Sequence, residues 1–299
     1  MAIKRVTLLG ADGELGPAIL AALLNSKFEV TVLKRANSSS PDDYPSHVKV
    51  AKVDEAFTVS DLTPMLRGQD ALVITIKGTQ VDLQKRLADA AVAAGVQRII
   101  PADFGSCDSA SPHAQQLVPL FGAKTQLRSY LTELVEKHSG FSWTAVVGGH
   151  FFDWRAGFLH LYPKDMRADI LGKGDVRSSY STLSRVGEAT ARVLSKLTET
   201  KNRVVYVQSF SVTQDQILKA FEKASGKQWN VEIFDPAKYE KTWVKKRDGG
   251  DKEAIENLVF MLGALESDWT KKDDFAMELL GLEDEDLDQV VGRCWEMWK

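Results

Sequence analysis

Three glycines follow an apolar run near the start of the chain. Residues 6–9 lead into Gly10, Gly13 and Gly16, and the residues that follow have the apolar spacing of a helix. The glycines are therefore placed where a strand turns into a helix N-terminus, whose unpaired N–H groups and dipole attract phosphate. A side chain there would block the turn or the approach of the phosphates. The pattern predicts a dinucleotide site that includes Asp12, Glu14 and Leu15, with an ordinary glycine turn as the alternative because the spacing is not G-x-G-x-x-G.

Two basic residues, Lys34 and Arg35, end the next apolar run, which covers residues 28–33 and reads as a second strand. In a βαβ unit of this length, an acid at the strand end binds the ribose 2′-hydroxyl of NAD, whereas positive charge suits a 2′-phosphate. The pair therefore favours NADP(H) as the cofactor. The alternative is a solvated basic pair at the end of a strand.

A reaction with such a cofactor also needs a proton donor. None of the six tyrosines is followed four residues later by lysine, so the chain lacks the Tyr-x-x-x-Lys motif. Lys124 instead occupies the gap in a stripe of leucines at helical spacing, formed by Leu117, Leu120, Leu127, Leu131 and Leu134. Removing its ammonium from water disfavours the charged form, which suits a general acid/base. The alternative is a lysine that extends along the edge of the stripe towards water.

Arg128 lies one turn after Lys124, on nearly the same face of the predicted helix. It has two interpretations. It holds an anionic part of the cofactor or substrate, or it pairs with a carboxylate such as Glu133.

An aromatic segment follows the predicted sixth strand. His150 comes directly after two glycines, and the carboxyl ends of strands in doubly wound folds face the ligand crevice. It either orients or protonates a substrate, or it is a packed core histidine. The aromatic residues that follow either stack on a planar ligand or fill the core: Phe151, Phe152, Trp154 and Phe158.

Strand and helix patterns alternate along the first half of the chain. Strands are predicted at residues 28–33, 48–53, 71–76, 97–100 and 141–147, with helices at 61–67, 81–94 and 117–137. Such alternation predicts an α/β fold with a doubly wound parallel sheet, the Rossmann arrangement.

We expect two domains. Residues 1–150 form the NADP-binding Rossmann domain, to which residues 184–207 return as a helix and a strand. A smaller, partly discontinuous α/β domain for substrate binding consists of residues 151–183 and 208–299.

Composition restricts the partners. The 299 residues carry a net charge of −3 with a pI near 6.0, which leaves no basic face for nucleic acid. No apolar run reaches the roughly 18 residues of a membrane span, and the chain enters a strand without a signal peptide, so a cytoplasmic location is expected. Cys107, Cys294 and the five histidines lack metal-ligand spacing, so no metal is predicted. The expected partner is a small-molecule substrate, bound by a monomer or homodimer.

Four markers together resemble one family. They are the three glycines, Arg35, the segment Arg-Ile-Ile-Pro-Ala-Asp-Phe-Gly at 98–105 against R-F-x-P-S-E-F-G, and Lys124 with Arg128 against K-x-x-x-R. Over nearly its whole length the chain resembles the NmrA-like, isoflavone reductase-like branch of the atypical short-chain dehydrogenases, in particular its fungal members.

The resemblance implies NADPH, hydride transfer to a small phenolic substrate, and Lys124 as general acid/base. It also implies that Asp54 lies beside the adenine and that Phe104 borders the nicotinamide and the substrate. The residues expected to pass the cofactor ribose are Thr75, Ile76 and Lys77.

The chain departs from the family pattern at several positions. Asp12 replaces a threonine in the glycine loop, which places an acid near phosphates or at the helix cap. Tyr44 stands where plant relatives often carry a second 2′-phosphate lysine, with Ser38 and Ser39 as substitute donors. The segment 98–105 has Ala102 and Asp103 in place of Ser and Glu.

Two functions are compatible with these residues. The first is an NADPH-dependent reductase of a small aromatic or conjugated metabolite, with hydride from nicotinamide and the proton from Lys124. The second is an NmrA-like regulatory protein that senses NADP(H) without catalysis. Because a sensor needs no buried lysine, Lys124 favours the reductase.

Overall fold

The protein, represented by a computed structural model, is described over residues 2–299 and divides into two compact units. The first unit comprises the residues through Phe104 together with 122–146 and 186–205. The second comprises 105–121, 147–185 and 206–299.

Thirteen strands and eleven α-helices are present within residues 2–299. The strands are β1 (Arg5–Leu9), β2 (Glu29–Arg35), β3 (Lys49–Val53), β4 (Ala71–Ile74), β5 (Arg98–Ile100), β6 (Ser142–Val147), β7 (His150–Phe151), β8 (Leu161–Tyr162), β9 (Arg167–Leu171), β10 (Arg177–Ser181), β11 (Arg203–Tyr206), β12 (Phe210–Thr213) and β13 (Asn230–Phe234). The helices are α1 (Gly16–Asn25), α2 (Val59–Leu66), α3 (Val81–Ala94), α4 (Pro112–Leu117), α5 (Pro119–Lys137), α6 (Leu183–Ser195), α7 (Gln214–Ser225), α8 (Pro236–Asp248), α9 (Ala254–Leu265), α10 (Met277–Leu280) and α11 (Leu287–Trp298). In this part of the chain, no helix has the length and apolar character needed to cross a bilayer.

A seven-stranded sheet has the order β11-β6-β5-β4-β1-β2-β3. The pairs that join β1 to β6 are all parallel. Successive strands are added outward in both directions from the middle, so the order reverses between β1 and β4, and a ligand crevice forms at such a reversal. The predicted doubly wound parallel sheet is confirmed.

Helices cover this sheet through apolar side chains. One core cluster joins residues of the sheet to α2, α3 and α5, with Leu62, Leu87, Leu127 and Leu131 fully or almost fully buried. In α6, a Cβ at Gly187 would lie 2.5 Å from the Ala18 carbonyl oxygen of α1, so glycine allows these two helices to pack closely.

The helix predicted for residues 117–137 begins two residues later, at Pro119, and Leu117 is the last residue of the separate helix α4. Residue Val118 is extended, with φ −134° and ψ 106°, between α4 and α5. Pro119 explains the break, because proline disfavours the helical conformation of the preceding residue and has no N–H to donate. Lys124 and Arg128 therefore lie on a helix that begins at Pro119.

Arg98 of β5 is buried, and its hydrogen-bond acceptors are hydroxyl and carbonyl oxygens. It is 1% exposed and donates hydrogen bonds to Ser142 Oγ at 2.9 Å, Thr144 Oγ1 at 2.7 Å and the Leu197 carbonyl at 2.6 Å. Burial lowers the pKa of Arg98 to about 10. The guanidinium thus ties β5 and β6 to the chain that follows α6.

We expect Arg98→Met to lower the free energy of unfolding by about 3 kcal/mol, because several buried acceptors lose their donor. Urea unfolding followed by circular dichroism measures this change. Lys201→Met, at an exposed position on the same connection, serves as the control and should change stability by less than about 0.5 kcal/mol. Equal stability of the two variants would show that the Arg98 contacts do not hold the strands.

The second unit contains two three-stranded sheets, with orders β12-β10-β7 and β13-β9-β8. Residues 105–121, which were predicted with the first domain, belong to this unit. The physical reason is their packing: Cys107, Leu117 and Phe121 share an apolar cluster with Leu258 and Met261 of α9. The first unit includes residues 186–205, within the segment 184–207 that was expected to return to the first domain.

Candidate functional site

The glycine loop after β1 has a geometry that excludes side chains. Gly10 has φ +95°, and a Cβ there would lie 2.6 Å from Thr75 Oγ1. A Cβ at Gly16 would lie 2.2 Å from the Gly10 carbonyl oxygen. Both positions therefore require glycine, as the sequence pattern predicts.

Thr75, directly after β4, fixes the glycine loop. Its hydroxyl donates to the carbonyl oxygens of Leu9 at 3.0 Å and Gly10 at 2.9 Å. Helix α1 begins just beyond the loop, with Leu15 as an N-cap that forms no side-chain cap. The N–H groups of its first turn can therefore receive an anion.

A cavity of about 450 Å³ opens beside this loop in the first unit. Six of the predicted cofactor residues line it: Gly10, Asp12, Gly13, Lys34, Arg35 and Ile76. The lining also includes Ser38 and Ser39, which were named as substitute donors, and Ser40. Sequence reasoning missed Phe57, Gln80 and Leu83, which belong to no motif and reach the cavity through the positions of α2 and α3.

Four further residues predicted to contact the cofactor do not belong to the cavity lining: Glu14, Leu15, Asp54 and Lys77. Leu15 is buried and Glu14 is exposed. Asp54 is exposed and accepts a hydrogen bond from the Ala56 N–H at 2.9 Å. Lys77 is exposed, and its carbonyl accepts from the Gln80 N–H. Their contacts with a cofactor stay predictions.

Lys34 is held between two carboxylates. Its Nζ is 3.0 Å from both Asp12 Oδ2 and Asp42 Oδ1, and it donates to the carbonyl oxygens of Ser40 and Pro41. Burial acts to lower the pKa of Lys34, but its hydrogen bonds to Asp42 and Asp12 outweigh burial and raise that pKa above its usual value. Lys34 is therefore charged, and its ammonium group already contacts four oxygen atoms. Arg35 beside it is exposed.

Asp12 does not cap α1, which was one of the two roles considered for it. Its carboxylate accepts hydrogen bonds from Ser40 and Tyr44 as well as from Lys34. Burial opposes ionisation, yet these hydrogen bonds lower the pKa of Asp12. An anionic side chain thus remains in the cavity lining and connects the glycine loop to the segment 40–44.

Two basic residues of α5, Lys124 and Arg128, contact Asp103 on the loop after β5. Lys124 is 6% exposed, and its Nζ donates to the Asp103 carbonyl and lies 3.8 Å from Asp103 Oδ1. Arg128 Nε donates to Asp103 Oδ2 at 2.7 Å. Lys124 therefore points inward, which was the functional interpretation of the leucine stripe. Arg128 pairs with Asp103 rather than with the suggested Glu133.

The loop that carries Asp103 is itself held in place. Gln84 of α3 is almost fully buried and its Oε1 accepts from the Ala102 N–H at 2.8 Å. Phe104 has φ +34°, an unfavourable conformation for a residue with a side chain, and is partly buried. Sequence reasoning missed Gln84, and treated Asp103 only as a departure from the family motif.

The prediction that His150 contacts a substrate is not supported by its surroundings. The side chain is 0% exposed, and its Nε2 is 3.1 Å from the Phe260 carbonyl oxygen. A Cβ at Gly263 would lie 2.1 Å from Nε2, and the Phe158 ring packs edge-on with a centroid distance of 4.8 Å. His150 is a packed core histidine, the alternative interpretation of the sequence.

The aromatic residues near His150 divide into two groups. Phe152 is fully buried against Phe210, and Phe158 is buried in the same core cluster, which is the core-filling alternative of the sequence interpretation. Both fill the core because neighbouring aromatic rings enclose them. Phe151 and Trp154 are half-buried and retain exposed surface.

Burial of His150 makes stability dependent on pH. Burial lowers the pKa of His150 from 6.5 to about 4. The unfolded chain therefore binds a proton below pH 6.5 that the folded chain excludes, so this stability is present above pH 6.5 and is lost as the pH falls towards 4. We expect the folded state to lose about 2 kcal/mol between neutral pH and pH ~5 from this group.

Chemical denaturation at several pH values measures this loss. His150→Gln, which does not titrate, is the matched variant, and its stability should fall less over the same range. Parallel pH profiles for the two proteins would contradict the assignment.

Comparisons with known proteins agree with this geometry. The model of the NmrA-like family matches residues 2–274. The chain belongs to the NmrA-like family. It is 31% identical to oxidoreductase aprR of Aspergillus flavus, over 97% of this chain and 98% of that protein. The match to named oxidoreductases over nearly the full length identifies this NmrA-like protein as an oxidoreductase.

Solved structures share the fold of this NmrA-like chain. The structure of AtPrR2 with NADP⁺ and (+)pinoresinol has a TM-score of 0.77 at 21% identity, covering 98% of this chain and 99% of that one. The binary complex of leucoanthocyanidin reductase and NADPH from Vitis vinifera has a TM-score of 0.79 at 15% identity, with the same coverage.

Proposed function

We propose that the protein is an NADPH-dependent reductase of a small aromatic or conjugated metabolite, with Lys124 as general acid/base. The observation that carries this proposal is the burial of the Lys124 amine beside Asp103, on the loop that follows β5. A buried amine with an acidic neighbour is an uncommon feature that a purely structural helix does not need.

The first unit has the features that NADP(H) requires. The cavity of about 450 Å³ combines a side-chain-free glycine loop with the exposed guanidinium of Arg35 and the hydroxyls of Ser38 and Ser39. Planar guanidinium groups bind phosphate with paired, charge-assisted hydrogen bonds. We assign Arg35 and the two serines to the 2′-phosphate, and the N-terminus of α1 to the pyrophosphate.

Each residue then has a separate task. The bound cofactor supplies the hydride. Thr75 keeps the glycine loop in the conformation that admits phosphate, and Gln84 fixes the loop that carries Asp103. Asp103 holds Arg128 by an ion pair and keeps Lys124 oriented. Lys124 donates the proton to the reduced substrate, a step that general acids accelerate by about 10² to 10⁴.

We assign substrate recognition to the second unit. Phe151 and Trp154 are its predicted substrate residues that retain exposed surface. Aromatic faces of this kind stack on planar ligands.

Asp12 should limit the affinity for NADPH, because its carboxylate lines the same cavity as the proposed phosphate ligands. We expect Asp12→Asn to lower the Kd for NADPH about fivefold, because it removes a negative charge that repels the phosphates. The effect is modest because solvent weakens this repulsion. Fluorescence titration of bound NADPH measures this change. Asp42→Asn is the matched control: it also removes a carboxylate from Lys34, but Asp42 does not belong to the cavity lining. Equal effects of both substitutions would assign the change to Lys34 instead.

A substrate panel tests the proposed reductase directly. Consumption of NADPH is followed by its absorbance against phenolic, enone and imine compounds, and the Kd values of NADP⁺ and NADPH are compared in parallel. We expect turnover of at least one compound class. No turnover, together with strong preference for one redox form of the cofactor, would favour the sensor of the NmrA-like family instead.

A further inference from the structure

The second unit contains a cavity of about 840 Å³ that none of the proposed catalytic residues lines. Its walls come from β8, β9, the end of β13, α8 and the start of α9. A volume of this size is within the range of small-molecule sites. The residues that carry the inference are His160, Tyr162, Asp169, Tyr239, Trp243 and Asn257.

A polarised histidine lies in this cavity. His160 is 8% exposed, and its Nδ1 is 3.0 Å from Asp169 Oδ2. Asp169 also accepts from Tyr162 OH at 3.0 Å and from Arg167, so its carboxylate is fully supplied with donors. Because a carboxylate only accepts, Nδ1 carries the hydrogen, and in the tautomer with its hydrogen on Nδ1 the Nε2 atom is an acceptor.

The acceptor on His160 is not used by the protein. Over residues 2–299, Nε2 has no hydrogen-bond partner, although the ring lines the cavity. The ring is held in place by stacking on Phe260 at a centroid distance of 3.8 Å and an angle of 17°. His160 also has φ +55°, which costs free energy for a residue other than glycine. The fold therefore holds a positioned, unpaired acceptor at the wall of a cavity.

The rest of the lining indicates the class of ligand. Tyr239 and Trp243 lie with their rings 5.9 Å apart, and Phe234 packs against Tyr239 at 5.5 Å. The Tyr239 hydroxyl donates a hydrogen bond to Asn257 Oδ1 at 2.6 Å, so its hydrogen is already used within the protein. The charged residues of the lining are four carboxylates and two lysines, a surplus of negative charge that disfavours an anionic ligand: Asp169, Asp235, Glu253, Glu256, Lys238 and Lys246.

We propose that this cavity is a second ligand site, which binds a neutral, planar aromatic molecule whose hydroxyl or ring N–H donates to His160 Nε2. The Tyr239 and Trp243 rings supply aromatic surface, with the Lys246 ammonium over the Trp243 ring at 3.8 Å from its centroid, and His160 supplies the directional contact. The site is separate from the proposed catalytic group, because Asp103, Lys124 and Arg128 belong to the first unit and do not line this cavity.

Equilibrium dialysis of the full chain without coenzyme tests the site, with 2-naphthol as the probe and 2-methoxynaphthalene as the matched compound that lacks a donor. We expect 2-naphthol to bind at least about tenfold more tightly, because a hydrogen bond to a buried acceptor is lost in the ether. Equal affinities for the two probes, or no binding of 2-naphthol, would overturn the proposal.

Two variants locate the binding. His160→Asn retains an N–H for Asp169 and tolerates the positive φ, but removes Nε2, so it should weaken 2-naphthol binding about tenfold and leave the ether unchanged. Thr242→Trp, at an exposed position of α8 in the lining, should weaken both probes without touching His160. Unchanged 2-naphthol binding in either variant would contradict the site. Lys124→Met should bind both probes as the wild-type protein does. This variant separates the test of the second site from the test of the proposed reductase. A loss of 2-naphthol binding in Lys124→Met would show that the probe binds outside the proposed cavity.

Discussion

Lys124→Met should reduce kcat/KM by about a hundredfold or more for any compound that the wild-type protein reduces with NADPH. Methionine keeps the length and apolar stem of lysine in the leucine stripe but cannot transfer a proton. The Kd for NADPH should stay within about threefold of the wild-type value, since Lys124 does not belong to the lining of the cofactor cavity. Steady-state kinetics and fluorescence titration measure the two quantities.

Lys137→Met is the matched control for this experiment. Lys137 lies on the same helix, α5, at an exposed position, and its substitution should change neither kcat/KM nor the Kd for NADPH. Thermal unfolding of both variants shows whether the fold persists. A folded Lys124→Met protein with more than about a third of wild-type activity would remove the lysine from the mechanism.

Arg35→Asp should change the cofactor preference by about a hundredfold towards NADH, measured as the ratio of kcat/KM for NADPH and NADH. The substitution removes charge-assisted hydrogen bonds to the proposed 2′-phosphate and places an acid where it can accept from ribose hydroxyls. We expect the full effect because Lys34 should not replace Arg35. The Nζ of Lys34 already contacts Asp12, Asp42 and two carbonyl oxygens. Arg35 is thus the exposed cation of the pair.

Arg67→Asp controls for the change in net charge. Arg67 is an exposed residue at the end of α2 and does not line the cofactor cavity, so its substitution should leave the preference unchanged. If Arg35→Asp kept the wild-type ratio, the 2′-phosphate would have to be recognised by other groups.

The parallel sheet was predictable because its strands are continuous apolar runs separated by helical patterns. The Gly10, Gly13 and Gly16 spacing also located the turn after β1, since the close approaches at Gly10 and Gly16 leave no room for a side chain. The inward direction of Lys124 followed from helical periodicity alone. Only the start of the helix that carries Lys124 was misplaced, because the effect of Pro119 on Val118 overrides the apolar pattern.

Contacts between distant residues could not be predicted in the same way. Asp12 contacts Ser40 and Tyr44 because the segment 40–44, which has no periodic pattern, folds back onto the glycine loop. Full burial of His150 depends on Gly263, more than a hundred residues later. His160 and Asp169 belong to no motif, and they pair because β8 and β9 are antiparallel neighbours.

A crystal structure of the protein with NADP⁺ and a substrate analogue tests the role of Lys124 most directly. The proposed mechanism predicts that Lys124 Nζ lies within hydrogen-bond reach of the reacting substrate atom, either at about 3 Å or through one water molecule. A structure in which Nζ contacts only Asp103, with the nicotinamide and the analogue bound out of its reach, would contradict the mechanism.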